Sequence, residues 1–329
     1  MVKIIKPYNK NLLLHSVCTN SYSGIGLARQ KKLYLLSVMT IALKNNISLI
    51  NSFIDEAFDV KKTTSFQLVI QIGMDGVLLA VNEKEKNKYI AFENYTFQNL
   101  YNFDAIGDSL DELLKESKLL NHKYKAVTCS VVNNLSTLVP NALFEEDRIK
   151  MYLKFNTTLE GNEFIIADDL KSIDTKNIFA LPFALKVKLD QLFNNITYHH
   201  FSSGLIDSLL IQNKNQTSKK LFVHVQTTHF EAIVIEGNKL LFYNTFNHHS
   251  AEDFIYYLLF VCEQLQLNPE KIETVLLGEI DKESAIYSIV QKYIRNIKFG
   301  ERTDNADYSY QLQTFPKHFY FTLFNRYFT

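Results

Sequence analysis

Residues 65–81 read SFQLVIQIGMDGVLLAV, and this stretch decides the fold. Apolar side chains alternate from Phe66 to Ile72, which is the period of a half-buried β-strand. The Gly-Met-Asp-Gly that follows has the residues of a tight turn, and the chain is apolar again from Val77 to Val81. The stretch therefore predicts a β-hairpin.

The segments that follow predict a third strand, a helix and a fourth strand. Residues 89–97, YIAFENYTF, come after a charged turn and predict a strand rich in aromatic side chains. Ser109 and Glu112 have the spacing of a capping box at the start of a helix, and leucines follow at helical spacing. Residues 125–132 predict a further short strand, so the order of elements is β-β-β-α-β.

The same order begins again in the second half of the chain. Residues 220–235, KLFVHVQTTHFEAIVI, predict a second hairpin, and residues 240–246 predict a third aromatic strand. Ser250 and Asp253 are expected to cap a helix, and residues 274–277 predict the closing strand. The sequence therefore contains two copies of one β-β-β-α-β unit.

The distance between the two copies is nearly constant along the chain. Lys88 matches Lys239 and Gln71 matches His224, so the copies lie 151 and 153 residues apart. Such regular spacing favours an internal duplication, and it predicts an α/β protein of two related halves with mixed sheets.

Domain boundaries follow from this repeat. The polar stretch 213–220, NKNQTSKK, has no apolar periodicity and is predicted to link the halves. We therefore expect a first half over residues 47–213, completed by further helix and strand patterns, and a second half over 214–329, whose aromatic end packs on the body. Residues 1–46 are an N-terminal extension, or they arise from an upstream start, with Met39 as the initiator.

Composition excludes several classes of protein. The 329 residues include 35 Lys plus Arg and 35 Asp plus Glu, so no net charge attracts nucleic acid or anionic lipid. Three widely separated cysteines, Cys18, Cys129 and Cys262, favour reduced thiols and a cytoplasmic location. The apolar segment 33–43 is far shorter than the about 20 residues that cross a bilayer, so no membrane span is predicted.

Other polar clusters suggest neither catalysis nor a metal. Six histidines lie in or just before the second half: His199, His200, His224, His229, His248 and His249. Their spacing matches no ligand motif, so solvent-facing or helix-capping roles are expected. The acidic groups at 55–56, 145–147 and 168–169 are expected to cap helices. No catalytic residue and no metal ligand is predicted.

A repeated unit of three antiparallel strands, a helix and a fourth strand is similar to the ribonuclease-H-like unit of the actin-like ATPase superfamily. Several motifs together also resemble an uncharacterised bacterial family, domain of unknown function 3822, which is placed with the actin-like proteins. These motifs are SFQLVIQIGMDG at 65–76, YIAFENYTF at 89–97, STLVPNALF at 136–144, FYNTF at 242–246 with EDFIYYLL at 252–259, and VLLGEIDKES at 275–284. The resemblance extends from about Ile47 to the C-terminus.

The resemblance implies a nucleotide cleft that has lost its key residues. Active superfamily members hold magnesium and phosphate through an Asp-x-Gly at the first turn of each half, and admit adenosine at a Gly-Gly. Gln71 takes the place of the first carboxylate, ahead of a retained Gly73. In the second half His224 and Gln226 stand at the matching positions, and at the adenosine motif one glycine is kept, in Gly278-Glu279.

These departures remove the anchor for magnesium and add bulk and negative charge beside a polyanion, so ATP and magnesium are not expected to bind. The resemblance therefore favours a non-catalytic adaptor that acts through protein contacts. Two alternatives stay open. One is a weak ATPase or sugar-kinase-like enzyme that uses the displaced acids Asp75 or Asp281, and the other is a sensor that binds a small molecule between the halves.

A protein partner has two predicted docking places, one of which is the face with Tyr256 and Tyr257 on the helix after the third strand of the second half. The third strand of each half is expected to form a sheet edge, where a partner could add a strand or dock. The aromatic residues on these strands are Tyr89, Phe92, Tyr95, Phe97, Phe242, Tyr243 and Phe246. Core packing is the competing interpretation, and the sequence names neither the partner nor the oligomeric state.

Overall fold

Three β-sheets organise the residues that the computed structural model describes, 46–98 and 106–325. The strands, in chain order, are β1 Ile47–Ile54, β2 Gln67–Ile72, β3 Gly76–Glu83, β4 Lys88–Phe97, β5 Ala126–Val131, β6 Ser136–Pro140, β7 Glu163–Leu170, β8 Thr175–Pro182, β9 Ile196–His200, β10 Lys219–Val225, β11 His229–Glu236, β12 Lys239–Asn247, β13 Glu273–Gly278, β14 Ile297–Phe299 and β15 Asp307–Tyr308. The α-helices are α1 Ile106–Glu116, α2 Ile149–Asn156, α3 Phe183–Leu192, α4 Phe201–Asn213, α5 Ala251–Gln264, α6 Ala285–Tyr293, α7 Tyr310–Gln313 and α8 Phe321–Phe324.

The two larger sheets share one arrangement of strands. The first has the order β1-β4-β3-β2-β5-β9, with β15 beside β4, and the second has the order β12-β11-β10-β13-β14. In both, the first three strands of the unit are antiparallel neighbours, and the strand after the helix pairs in parallel with the first. The predicted mixed α/β architecture, with the β-β-β-α-β order in each sheet, is confirmed.

A third, smaller sheet lies between β5 and β9 in the chain. Its order is β6-β8-β7, and α2 packs against it around Leu153, Val139, Ile178 and Ala180. The sequence predicted further helix and strand patterns in this part of the first half, but not that the strands form a separate sheet.

Helices cover both faces of the second sheet. Along β10, Leu221 and Val223 contribute to one core, which also includes residues of α5 and α6. Phe222 points to the opposite face, where α4 and α8 pack through Leu205 and Phe321. Because both faces are buried, β10 has a nearly continuous apolar run.

The C-terminal segment, residues 300–325, returns from the second sheet to the first. Asp307 and Tyr308 pair in parallel with the start of β4, and Phe324 packs edge-on against Tyr89. Further aromatic rings, among them Phe315 and Tyr320, bury the same face of the first sheet. The predicted packing of this aromatic end is confirmed as far as residue 325.

The prediction that both third strands form sheet edges is wrong for β4. Strand β1 pairs antiparallel with it from Ile47 opposite Phe97 to Ile54 opposite Ala91, so β4 lies inside the sheet. Its aromatic residues, Tyr89, Phe92, Tyr95 and Phe97, are buried and cannot dock a partner. Within the described residues, β12 does stand at the edge of its sheet, although Phe242 and Phe246 are buried there.

The two predicted helix caps differ in outcome. Ser250 caps α5, since its Oγ accepts a hydrogen bond from the backbone N–H of Asp253 at 3.0 Å. Ser109 is not a cap: α1 begins at Ile106, so Ser109 is a buried residue inside the helix. The helix thus starts about one turn earlier than the leucine periodicity predicts.

No helix in the described part of the chain is long and apolar enough to cross a membrane. Cys18, Met39 and the apolar segment 33–43 lie outside the described residues.

Candidate functional site

A cleft of about 600 Å³ opens between the tips of the two predicted hairpins. Its walls come from the β2–β3 turn, the β10–β11 turn, the chain after β13 and the C-terminal segment. Each hairpin has the equivalent position in its own sheet, and the tips of both hairpins line this cleft.

The first turn carries Asp75 at its tip. The N–H of Gly73 donates to the carbonyl of Gly76 at 3.0 Å, which closes the turn. A Cβ on Gly76 would lie 2.1 Å from the carbonyl oxygen of Tyr95, so only glycine fits beside β4. The turn therefore holds the backbone of Asp75 in one position, and the Asp75 side chain lines the cleft.

The second turn reaches across to the first. The N–H of Gln226 donates to the carbonyl of His229 at 2.9 Å, which leaves Thr227 and Thr228 at the tip. The hydroxyl of Thr228 donates to a carboxylate oxygen of Asp75 at 3.0 Å. The two hairpin tips are thus in direct contact.

Gln71 lines the cleft but is almost fully enclosed, with 8% of its surface exposed. Its Oε1 accepts a hydrogen bond from the hydroxyl of Thr322, in α8, at 2.7 Å. Gly73 packs closely on Val132, since a Cβ added to the glycine would lie 3.0 Å from the valine Cβ. The amide that replaces the expected carboxylate is therefore held by the C-terminal segment.

His224 lies beneath the cleft and does not line it. It is buried, and its Nδ1–H donates to Oε2 of the fully buried Glu231 at 2.8 Å. His229 approaches the other carboxylate oxygen at 3.4 Å, and Gln226 Nε2 lies within 3.4 Å of Glu231 Oε2. The matching position of the second hairpin thus holds a buried network of polar side chains centred on Glu231.

Glu231 was missed in the sequence analysis. It faces the same side of β11 as Ile233 and Ile235, which are buried against α4. A single charged residue on an otherwise apolar strand face was the signal that could have found it, because such a residue needs a partner inside the protein.

Gly278 and Glu279 end β13 at the cleft wall. Gly278 has a φ of +84°, and its N–H donates to the carbonyl of His318 at 2.9 Å. The N–H of Glu279 donates to the carbonyl of Val225 at 2.9 Å. The side of Gly278 where a Cβ would lie faces the backbone of Val225, whereas the Glu279 side chain lines the cleft.

The surroundings of Glu279 raise the pKa of its carboxyl group above the usual value. Desolvation by the cleft walls raises its pKa most, nearby His224 lowers it, and the charge of Asp75 raises it. The side chain still reaches solvent through the cleft, so the raised pKa reflects limited hydration on several sides and not full enclosure.

The cleft is acidic. Asp75, Glu279 and Asp281 all line it, and no lysine or arginine does so among residues 46–98 and 106–325. In the same part of the chain, no group of three or more His, Cys, Asp or Glu side chains is arranged to hold a metal ion. The arrangement attracts cations and repels phosphate.

A second buried polar network lies at the start of α4. Asp168 accepts hydrogen bonds from the N–H of His200 and from the hydroxyl of Ser203, both at 2.7 Å, and from His199 Nδ1 at 3.0 Å. Asp168 was predicted to cap a helix that follows it directly in the sequence. It lies in β7 instead, and it accepts hydrogen bonds at the start of α4, a helix distant in sequence.

The histidines are more enclosed than the sequence analysis predicts. His200, His224 and His248 are buried, which contradicts a solvent-facing role for these three. His200 does act as the predicted kind of cap, because its ring accepts from the N–H of Ser202 at the start of α4. Its Nε2–H points to the carbonyl of Asn133 at 3.1 Å.

Lowering the pH is expected to destabilise the protein through His200. Burial lowers its pKa from 6.5 to about 4, against a smaller opposing effect of Asp168. Since the unfolded chain binds this proton first, the stabilisation is complete above pH 6.5 and is lost as the pH falls toward 4. The loss from this group should reach about 3 kcal/mol, measured by urea unfolding followed by circular dichroism.

His248 and His318, whose pKa values burial also lowers, act in the same direction. A His200→Gln variant should therefore lose less stability than the unmodified protein between pH 7 and pH 4. Equal pH dependence in the His200→Gln variant and the unmodified protein would contradict the assignment.

Comparison with solved structures identifies the class of protein. The chain is similar to a protein of Bacteroides thetaiotaomicron with an actin-like ATPase fold and unknown function, with 24% identity and a TM-score of 0.67 over 78% of this chain and 97% of that one. It is also similar to the PilM–PilN type IV pilus biogenesis complex, with 12% identity and a TM-score of 0.51 over 75% of this chain and 91% of that one. The fold is that of the actin-like ATPases.

Within this class, the chain belongs to the family described as protein of unknown function (DUF3822), whose model matches residues 55–297. The resemblance drawn from the sequence motifs is thereby confirmed. No curated protein matches the chain.

Proposed function

We propose that this protein is a non-catalytic actin-like protein, a pseudo-ATPase that works as an adaptor or scaffold through protein–protein contacts. The observation that carries the proposal is the acidic cleft, lined by Asp75, Glu279 and Asp281 without a lysine or arginine from the described residues. Gln71, Gly73, His224, Gln226, Gly278 and Glu279 are then the remains of a nucleotide site.

Electrostatics argue against a polyphosphate in this cleft. Two like charges at 4 Å repel by about 1 kcal/mol in water and by about 4 kcal/mol at the effective dielectric constant near a protein surface. Three carboxylates face the space. Phosphoryl transfer requires charge neutralisation, and these side chains add charge of the wrong sign.

Contacts around the two turns give the proposal independent support. The hydrogen bond from Thr228 to Asp75 joins the hairpin tips at 3.0 Å, and Thr322 holds the amide of Gln71. Both side chains would have to change partners before magnesium-bound phosphates could lie between the turns. The cleft is therefore organised around contacts within the protein.

An adaptor role fits what this fold does in a similar structure, a complex of two proteins in type IV pilus biogenesis. The proposal includes a cytoplasmic location, which suits the buried thiols of Cys129 and Cys262. It assigns no catalytic residue and no cofactor.

Magnesium-ATP is expected to leave the melting temperature of the full chain unchanged. A ligand that binds only the folded state stabilises it by RT ln(1 + [L]/Kd), so about 1 mM nucleotide with a Kd above about 10 mM contributes less than about 0.1 kcal/mol. Thermal unfolding should be followed by circular dichroism with ATP or ADP, each with magnesium or with EDTA. A rise in melting temperature that requires magnesium would overturn the proposal.

One observation favours a second candidate, a weak ATPase or sugar-kinase-like enzyme. Asp75 and Asp281, the two displaced acids, do line the cleft. This candidate requires phosphate release that falls when Asp75→Asn and Asp281→Asn are combined. The third candidate, a small-molecule sensor, is compatible with the cleft volume of about 600 Å³, which lies within the usual range for ligand pockets.

A further inference from the structure

The cleft continues onto a strand edge. Ile50 and Asn51 of β1 line it, and β1 is the terminal strand of the first sheet within the described residues. Leu49 and Ile50 are 53% and 52% exposed. The sequence of β1, ISLINSFI, contains no charged residue. Such an edge lacks the lysines and prolines that usually prevent strand addition.

A bulge turns this edge toward the cleft. Leu49 lies opposite Tyr95 and Asn51 lies opposite Asn94, so Ile50 is the additional residue and has no cross-strand partner on β4. Bulges bend a strand and redirect a side chain. Here the redirected side chain is apolar, is half exposed, and forms part of the cleft wall.

Two buried amides at the cleft are held by the C-terminal segment. Gln71 and Asn94 are each 8% exposed. Gln71 Oε1 accepts from Thr322, and Asn94 Nδ2 donates to the hydroxyl of Tyr320 at 3.2 Å. Both residues line the cleft.

We propose that the cleft and the β1 edge together bind an extended peptide segment of a partner protein, which places a lysine or arginine side chain among Asp75, Glu279 and Asp281. The proposal rests on the adaptor function above and names the chemistry of its partner. The segment would add a strand along β1, with an apolar side chain on Leu49 and Ile50.

Charge complementarity selects this occupant. Three carboxylates line the cleft without a lysine or arginine from the described ranges, and this charge attracts a cation. A free organic cation would use the carboxylates but not the strand edge. A peptide uses both, because main-chain hydrogen bonds to an edge strand supply affinity while side-chain pockets supply specificity.

Fluorescence anisotropy with the full-length protein tests the proposal. The probe is a fluorescein-labelled octapeptide of alternating valine and lysine. Matched probes carry glutamate in place of lysine, or N-methylated amides that cannot pair with a strand. We expect the lysine peptide to bind, and the glutamate and N-methylated peptides to bind at least about tenfold more weakly, since tenfold corresponds to about 1.4 kcal/mol.

Protein variants locate the site. Combining Asp75→Asn, Glu279→Gln and Asp281→Asn should weaken binding of the lysine peptide at least about tenfold. The matched control combines Glu146→Gln, Asp147→Asn and Glu252→Gln, three acids on exposed helix starts outside the cleft, and should change binding less than about twofold. Circular dichroism spectra and melting temperatures of both variants show whether each is folded.

Several results would overturn the proposal. These are absence of binding, equal binding of the glutamate peptide, or an unchanged affinity in the folded cleft variant. If spermidine displaces the probe and the N-methylated peptide binds as well as the unmodified one, the ligand is a free cation and the peptide assignment is wrong. If the peptide does not bind and magnesium-ATP does not raise the melting temperature, only this inference is rejected. If ATP raises the melting temperature in a magnesium-dependent way, the adaptor function on which the inference rests is rejected.

Discussion

The Gly278→Ala variant is expected to lose about 3 to 5 kcal/mol of unfolding free energy. Gly278 has a φ of +84°, and a Cβ there would lie 2.1 Å from the carbonyl oxygen of Val225. Val225 and Gly278 are parallel partners at the ends of β10 and β13, so the backbone of the second sheet must shift to accept the methyl group. Urea unfolding followed by circular dichroism measures the loss, since the chain contains no tryptophan for fluorescence.

Two other glycines provide matched controls. Gly161 has a φ of +102° but nothing within 4 Å of its Cβ position, so Gly161→Ala should lose only about 1 kcal/mol, from backbone strain. Gly107, in α1, also has nothing within 4 Å, and alanine there should cause no loss. If Gly278→Ala and Gly161→Ala were equally stable, the close contact with Val225 would not be the cause.

The His224→Leu variant is expected to lose about 3 to 5 kcal/mol, because it leaves the carboxylate of Glu231 buried without its nearest partner. The second carboxylate oxygen lies 3.4 Å from His229 but makes no hydrogen bond among the described residues. Replacing His224 and Glu231 together with leucine should restore most of the stability, since no buried charge then remains at this pair.

A double-mutant cycle of these two positions, measured by urea unfolding, gives the coupling free energy. We expect the double variant to be more stable than His224→Leu alone. Losses that simply add would show that the two side chains act independently, and an unaffected His224→Leu variant would show that Glu231 does not need the ion pair.

Alternating hydrophobicity and turn residues were enough to predict both hairpins and their third strands. Residues 65–81 and 220–235 each have the two-residue period on a half-buried or fully buried strand, followed by a short turn. The spacing between the copies predicted the shared topology of the two larger sheets. The actin-like fold and the family then followed from motifs within these same elements.

Strand β1 could not be predicted because its pattern does not alternate. The bulge at Ile50 shifts the period, so Leu49 and Ile50 are adjacent apolar residues, and both are exposed. Without β1, the sequence predicts β4 as a sheet edge whose aromatic residues could dock a partner. One inserted residue thus changes which strand of the sheet is accessible.

The candidate site was predicted only in part. The hairpin and adenosine motifs placed Gln71, Gly73, Gln226 and Glu279 in one predicted nucleotide cleft; these residues line one cleft in the structure, and its nucleotide origin stays a prediction. The placement of His224 was wrong, because this residue precedes the turn and faces α4. The contact of Gln71 with Thr322 spans 251 residues, and no local pattern indicates a partner at that distance.

The C-terminal segment ties the two large sheets to each other. It pairs with β4 through β15, accepts the N–H of Gly278 at His318, and donates to Gln71 from Thr322. Melting one large sheet would therefore strip stabilising contacts from the other. We expect heat to abolish both in a single calorimetric transition, so a substitution in either sheet lowers the same Tm.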